Sequence, residues 1–369
     1  KSISDSNNNH QSKHHHHHHN HNKKSTATST VIKNTTNKNT MRVIAQQALS
    51  SKVIESNYLP IIHKESINLV KYFYKNAGIL INPVDALTHS ISKTFSLITF
   101  GTSAEKFSFD FTEFLESANA LEQKEIQIES LQFLRKISST QQTLENKVHL
   151  SKTKYAEISK QIVGSLKKTT AKNSTNDKCF TGEILKSMKP KADEKEFLNL
   201  SSNLLFNGIE NTLAELKPVG FFSQPYIVTK DDIYQGYHIP QNANVIFNTN
   251  TLHFNQTLFE RAKRFSPERY LDEQGHLKQN PDSAKVWMFG KGPNASIGEY
   301  LTEITLSAII AHTLALFIIT PEIDETTGDE KEINMEGVSN GFKLDAPNYN
   351  VIFELRKDVD HEKIFRGNY

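Results

Sequence analysis

Apolar and polar positions divide the chain into three textures. Residues 1 to about 40 carry almost no apolar side chains among runs of Asn, Ser, Thr, Lys and His. Such a segment cannot bury enough surface to offset its ordering entropy, so a disordered tail is expected there. From Met41 to Lys217 apolar positions recur at helical spacing. Tyr58, Ile62, Leu69, Val70 and Phe73 follow mostly at three- and four-residue intervals, and Asn76-Ala77-Gly78 supplies a stop. A second helix is predicted from Pro83, where proline fits a first turn, to Gly101. Phe111 to about Arg135 and Leu150 to about Leu166 read as two more. The longest helix runs from Ala192 to about Lys217, opened by Asp193 and Glu196 as a capping box and ended by Pro218.

Beyond Pro218 the texture changes to strands and turns. Phe221-Phe222, Tyr226 to Thr229, Gly236 to Pro240 and Asn244 to Asn248 read as short strands. A helix from about Gly298 to Ile319 follows, then strands over Phe342 to Asp345 and Tyr349 to Leu355. The pattern predicts a mainly α chain with a small β region: a tail over 1–40 and one domain over 41–369.

Composition narrows the function classes. A hydrophobic content of 37 % supports a core, and a formal charge of +2 gives no global attraction to nucleic acid. Lys167-Lys168 has no interleaved aromatic residues and reads as a solvated helix end. Cys179 stands alone, which excludes an internal disulfide and favours a reducing compartment. No run of 18 apolar residues occurs, so no membrane span is expected in the chain as given; between the cytoplasm and the surface of the endoplasmic reticulum the sequence leaves the place open. The greasy stretch from Ser307 to Ile319 is broken by His312 and Thr313 and reads as a buried helix. The run His14 to His19 lies among Asn and Thr tracts and reads as low complexity, with only adventitious affinity for zinc or nickel. The remaining histidines show no metal-ligand spacing. Gly290-Lys291-Gly292 lacks the Gly-Lys-Ser/Thr ending of a phosphate loop. The chain starts at Lys1 and not at Met, so a segment upstream is expected.

Three ordered segments of the C-terminal half resemble the cytochrome P450 family. Gly236-Tyr237-His238-Ile239-Pro240 is similar to the family's sheet hairpin. His253, followed by Phe265-Ser266-Pro267-Glu268-Arg269-Tyr270-Leu271, is similar to the stretch with the Pro-Glu-Arg-Phe motif. Phe289-Gly290-Lys291-Gly292-Pro293-Asn294-Ala295-Ser296-Ile297-Gly298 fits the haem loop, Phe-x-x-Gly-x-Arg-x-Cys-x-Gly. Upstream, Asn207-Gly208-Ile209-Glu210-Asn211-Thr212 resembles the distal-helix motif, and Arg42 the arginine of the Trp-x-x-x-Arg helix. Cys179-Phe-Thr-Gly-Glu-Ile-Leu is similar to fungal-type members related to phenylacetate hydroxylases.

The resemblance implies an incomplete cytochrome P450-type fold, a haem cofactor, an NADPH-dependent reductase as partner and a small apolar substrate. It also marks what has changed. Phe289, Gly292, Asn294, Ser296, Gly298 and Arg42 fall at cofactor-binding positions, and Ser296 takes the place of the axial cysteine. A thiolate pushes electron density through iron and favours cleavage of the O–O bond. A serine hydroxyl stays un-ionised near neutral pH and is a harder, poorer donor. Asn294 replaces an arginine that pairs with a propionate, and Tyr226 stands where a sheet arginine is expected. Stranding one half of a buried ion pair costs ~3–5 kcal/mol. The implied oxygen-activating pair, Glu210 and Thr212, is altered too: Asn211 takes the usual threonine position, and one residue is about 100° of helix rotation.

Between Thr212 and Pro218 the family has the rest of the distal helix, two more helices and a Glu-x-x-Arg helix; here Leu213 to Lys217 matches only a tail. The region before Arg42 is shorter than in the family, without its N-terminal strands or membrane anchor. Both gaps read as deletions or a faulty gene model. Three functional classes follow: a degenerate member without monooxygenase activity, in which haem is lost or weakly bound; a residual haem protein with Ser296 or water as axial ligand; and a binding protein without catalysis.

Overall fold

The computed structural model describes residues 35–101, 178–187, 194–215, 226–278, 289–331, 338–339, 344–345 and 349–365, less 263, 265, 291, 293 and 294, together with 153, 157, 160 and 161. Helix α1, Thr35–Ala48, starts ahead of the Met41 boundary read from the pattern. Residues 35–40 hold neither Gly nor Pro, and nothing in them stops a helix anchored by buried Ala45 and Ala48.

A helical turn at Ser51–Val53 runs into a π-helical segment, Ile54–Tyr58. Buried Tyr58 donates its hydroxyl to the Ala48 carbonyl at 3.1 Å, tying this segment to the end of α1. Helix α2, Leu59–Lys75, has Pro60 in its first turn and stops at Asn76, with Gly78 at φ +76° just beyond. Strand β1, Leu80–Ile81, leads to α3, Pro83–Phe100. The Asn82 side chain accepts the Val84 N–H at 2.9 Å to open α3, and Gly101 at φ +68° closes it in a left-handed C-cap. Both ends match the sequence reading.

Helices α4, Phe180–Ser187, and α5, Glu194–Glu215, follow. Asp193 of the expected capping box, the helix over 111–135 and the strand at 221–222 lie outside the described residues. Of the helix over 150–166, positions 153, 157, 160 and 161 are described, as helical. Strands β2 (Tyr226–Ile227), β3 (Asp232–Tyr234), β4 (Tyr237–Ile239) and β5 (Asn244–Val245) form a nested antiparallel ribbon, β2 on β5 and β3 on β4. Gln235 and Gly236, both at positive φ, make its two-residue turn. The short helix α6 is Thr249–His253.

Helix α7, Glu299–Leu316, ends three residues before the Ile319 expected from apolar periodicity; Phe317–Pro321 is strand β6. The reason is local. Ile318, Ile319 and Thr320 are β-branched and suit a pleated strand, and a uniformly apolar run does not tell the two periods apart. Strands β7 (Val338–Ser339) and β8 (Leu344–Asp345) pair, β9 is Val351–Leu355, and α8, His361–Phe365, closes the described chain.

Helix α2 packs on α3, α3 on α5, α5 on α7, and α7 back on α2, closing a ring of four helices. Its core includes Ile62, Phe73, Phe95, Ile98, Leu205, Ile209, Leu301 and Ile309, all nearly inaccessible. A sheet of order β1-β9-β6, antiparallel throughout, lies against one end, where Phe353 stacks on Phe73 with centroids 4.1 Å apart. The helical ring carries the site's framework; α1 and the loop before α7 meet at its edge.

Candidate functional site

Loop 289–298 is shaped by backbone bonds and by two glycines. Phe289 is buried and its carbonyl accepts the Ser296 N–H at 2.7 Å, which closes the loop on itself. The Ala295 N–H donates to Gly292 O at 3.1 Å. Gly290 and Gly292 sit at φ +70° and +75°, a region that side chains with a Cβ rarely adopt. A Cβ on Gly290 would also stand 3.9 Å from the Tyr226 hydroxyl, so the loop lies beside strand β2. Tyr226, at the position where the resemblance expects an arginine, is therefore a neighbour of the loop.

Ser296 is half-buried and its Oγ accepts the Gly298 N–H at 3.2 Å. Gly298 is the N-cap of α7, and its carbonyl accepts the Thr302 N–H at 3.0 Å. The serine hydroxyl thus satisfies one of the open amides at the head of the helix, a habit of serine at helix starts.

Arg42 reaches the same loop from α1. Its Nη2 donates to the Ala295 carbonyl at 2.5 Å across 253 residues of sequence, and both groups are half-buried. On the other side of Ser296, the Tyr300 hydroxyl donates to Glu55 Oε1 at 2.8 Å. That bond, then burial and the charges of Glu55 and Glu303, raises the Tyr300 phenol above its usual range. Glu303 is raised in turn, first by burial and then by Glu299.

The structure brings together Arg42, Phe289, Gly292, Ser296 and Gly298. Asn294 and Trp287 lie outside the described residues. Glu210 and Thr212 are carried by α5. Thr212 is fully buried, and its hydroxyl donates to the Gly208 carbonyl at 2.6 Å, one turn back along its own helix. Arg269, in the segment that resembles the Pro-Glu-Arg-Phe motif, donates to the carbonyls of Ser266 at 3.0 Å and Arg264 at 2.8 Å in its own loop.

The residues present do not match the donor set of an iron–thiolate centre: where the resemblance expects the axial cysteine the side chain is the Ser296 hydroxyl, and Cys179 is buried at the head of α4 with its Sγ 3.2 Å from Thr181 Oγ1. No group of three or more His, Cys, Asp or Glu suited to a metal ion occurs among the described residues, and no described helix is long and apolar enough to cross a membrane.

Sequence reasoning missed a buried polar pair at the α2–α7 crossing. His312 Nδ1 lies 2.5 Å from Ser66 Oγ, and the His63 ring stands edge-on at 5.5 Å. Isolated histidines on separate helices give no spacing signal. The π-helical turn that holds Glu55 was missed for the same reason: its sequence is ordinary.

Comparison with known proteins bears on all of this. The family model described as Cytochrome P450 matches residues 3–218 and 215–352. The chain is 33% identical over 129 residues to cytochrome P450 monooxygenase claR of Ampulloclitocybe clavipes, covering 34% of this chain and 24% of that one. It is 30% identical over 131 residues to cytochrome P450 2C3 of Oryctolagus cuniculus, covering 36% and 25%. With steroid 17-alpha-hydroxylase/17,20 lyase of Gallus gallus the identity is 28% over 182 residues, covering 47% and 34%. The matched region spans about a quarter to a third of these relatives' length.

Proposed function

The chain belongs to the cytochrome P450 family, and on that premise we propose that it is a degenerate member without monooxygenase activity. The observation that carries this reading is Ser296. It stands where the axial cysteine is expected in a loop whose sequence resembles the family's haem loop, and its oxygen accepts the Gly298 amide. Membership of the family implies haem and a redox partner such as a reductase; in this chain haem is lost or weakly bound, and neither an NADPH-dependent reductase nor a small apolar substrate has a reaction to serve.

Three further observations support it. The Thr212 hydroxyl, one position late in the altered Glu210–Thr212 motif, donates into its own helix, one turn back to the Gly208 carbonyl. Arg269 has taken backbone carbonyls as partners. The two matched segments meet at residues 215–218, where a distal-helix motif passes directly into the tail of a Glu-x-x-Arg helix. The domain is accordingly a partial one, over 41–369 behind a low-complexity tail.

A second reading is favoured by the preserved loop itself: a residual haem protein with Ser296 or water as axial ligand. Haem content separates the two. Purified chain, with and without added hemin, should carry far less than one equivalent of haem after desalting. One equivalent retained, with no sulfur-ligand signature, would favour the second reading and contradict the first.

A further inference from the structure

The loop that carries Ser296 is gripped from both flanks by the N-terminal part of the fold. One residue before Ser296, the Ala295 carbonyl takes the Arg42 guanidinium at 2.5 Å; four residues after it, the Tyr300 hydroxyl binds Glu55 at 2.8 Å. Arg42 is on α1, Glu55 on the π-helical turn that follows, and the two are joined by the Tyr58–Ala48 bond. A π-turn widens the helix locally and re-aims its side chains; such turns recur at positions with a task. Among the described residues Arg42 makes no ion pair, so the half-buried cation and the half-buried carbonyl satisfy each other in a charge-assisted bond.

We infer that Arg42 and Glu55 form a clasp that holds the segment from Ala295 to Tyr300, which carries Ser296, against α1 and the π-helical turn. This rests on the reading that haem is lost: Arg42, which the family resemblance assigns to a propionate, directs its guanidinium at the protein's own backbone. Opening of the loop requires release of Arg42.

The amides of Ala295, Ser296, Gly298 and Thr302, all bonded within the loop or the helix start, report its closure. Their hydrogen exchange is measured on the full chain without added hemin. Arg42→Ala should speed exchange over 295–302 about tenfold or more, while amides of α3 and α5 keep their rates; Arg42→Lys, which retains a donor, should fall between. Tyr300→Phe removes the other bond from an exposed site and should give a smaller local increase. Loop exchange equal to wild type in Arg42→Ala overturns the clasp. Should that variant fail to fold, unchanged loop exchange in Tyr300→Phe overturns it instead. A parallel hemin titration keeps the two ideas separate: stoichiometric binding by wild type contradicts the loss of haem and leaves the exchange comparison to decide the clasp.

Discussion

At Gly208 a Cβ would stand 2.2 Å from the Phe95 ring, so α3 and α5 meet here at a separation that only glycine permits. Two effects oppose each other in Gly208→Ala. Helix propensity favours Ala by up to about 1 kcal/mol, while forcing an extra methyl into a packed core costs ~1–3 kcal/mol. The clash is severe and Phe95 is fully buried, so packing wins. Gly208→Ala should lower unfolding free energy in urea by about 1–2 kcal/mol, and Phe95→Leu added to it should restore part of the loss. At the neighbouring Thr212 the hydroxyl makes a bond within its helix; Thr212→Val should leave any residual activity unchanged and shift stability by no more than about 1 kcal/mol. The sequence motif marked both residues, but not their use. Gly208 was legible as part of a family pattern; that it faces a phenylalanine from a helix more than 100 residues earlier was not.

Among the elements, the crossing of α2 and α7 carries a built-in pH response. Burial holds the His312 pKa below its usual value, with His63 adding to the shift, while the Ala308 carbonyl opposes it. The Glu65–Lys93 pair, at 3.4 Å, is the nearby ion pair on α2 and α3. A histidine whose folded pKa is depressed is kept neutral in the native state, so its contribution is present above the unfolded pKa of about 6.5 and is lost as pH falls below it. The urea midpoint should therefore drop between pH 7 and pH 5, and His312→Gln should flatten that limb; equal slopes in the two proteins would remove His312 from the account. The helix ends here were readable because they are chemical: Asn76 and Gly78, Pro83, Gly101. The α7–β6 boundary was not, since an apolar run suits both periods until Phe353 and Phe317 pack together.

For the whole molecule the balance lies between a retained helical ring and what the family has around it. The mainly α fold with small sheets is that of a P450-type domain, and the comparisons cover only part of each relative. A domain holds ~5–15 kcal/mol in reserve. On the proposed reading of a partial domain, and with apolar Ile310 and Leu314 of α7 exposed, unfolding free energy should fall at or below the bottom of that range. Cooperative urea unfolding at a midpoint ordinary for intact domains would count against the loss of core helices. What the sequence could not disclose at this scale is the contact between Arg42 and Ala295: a motif placed each near a cofactor, and neither motif says that they bind each other.

The central claim concerns Ser296, and the reduced, carbon monoxide-bound absorption spectrum tests it most directly. The full chain is purified, incubated with hemin, desalted, reduced and exposed to carbon monoxide beside Ser296→Cys. Wild type should give no band of thiolate-bound haem, and the cysteine variant should gain some of it if the loop still accepts the cofactor. A thiolate-type band from the wild-type chain would contradict the claim outright.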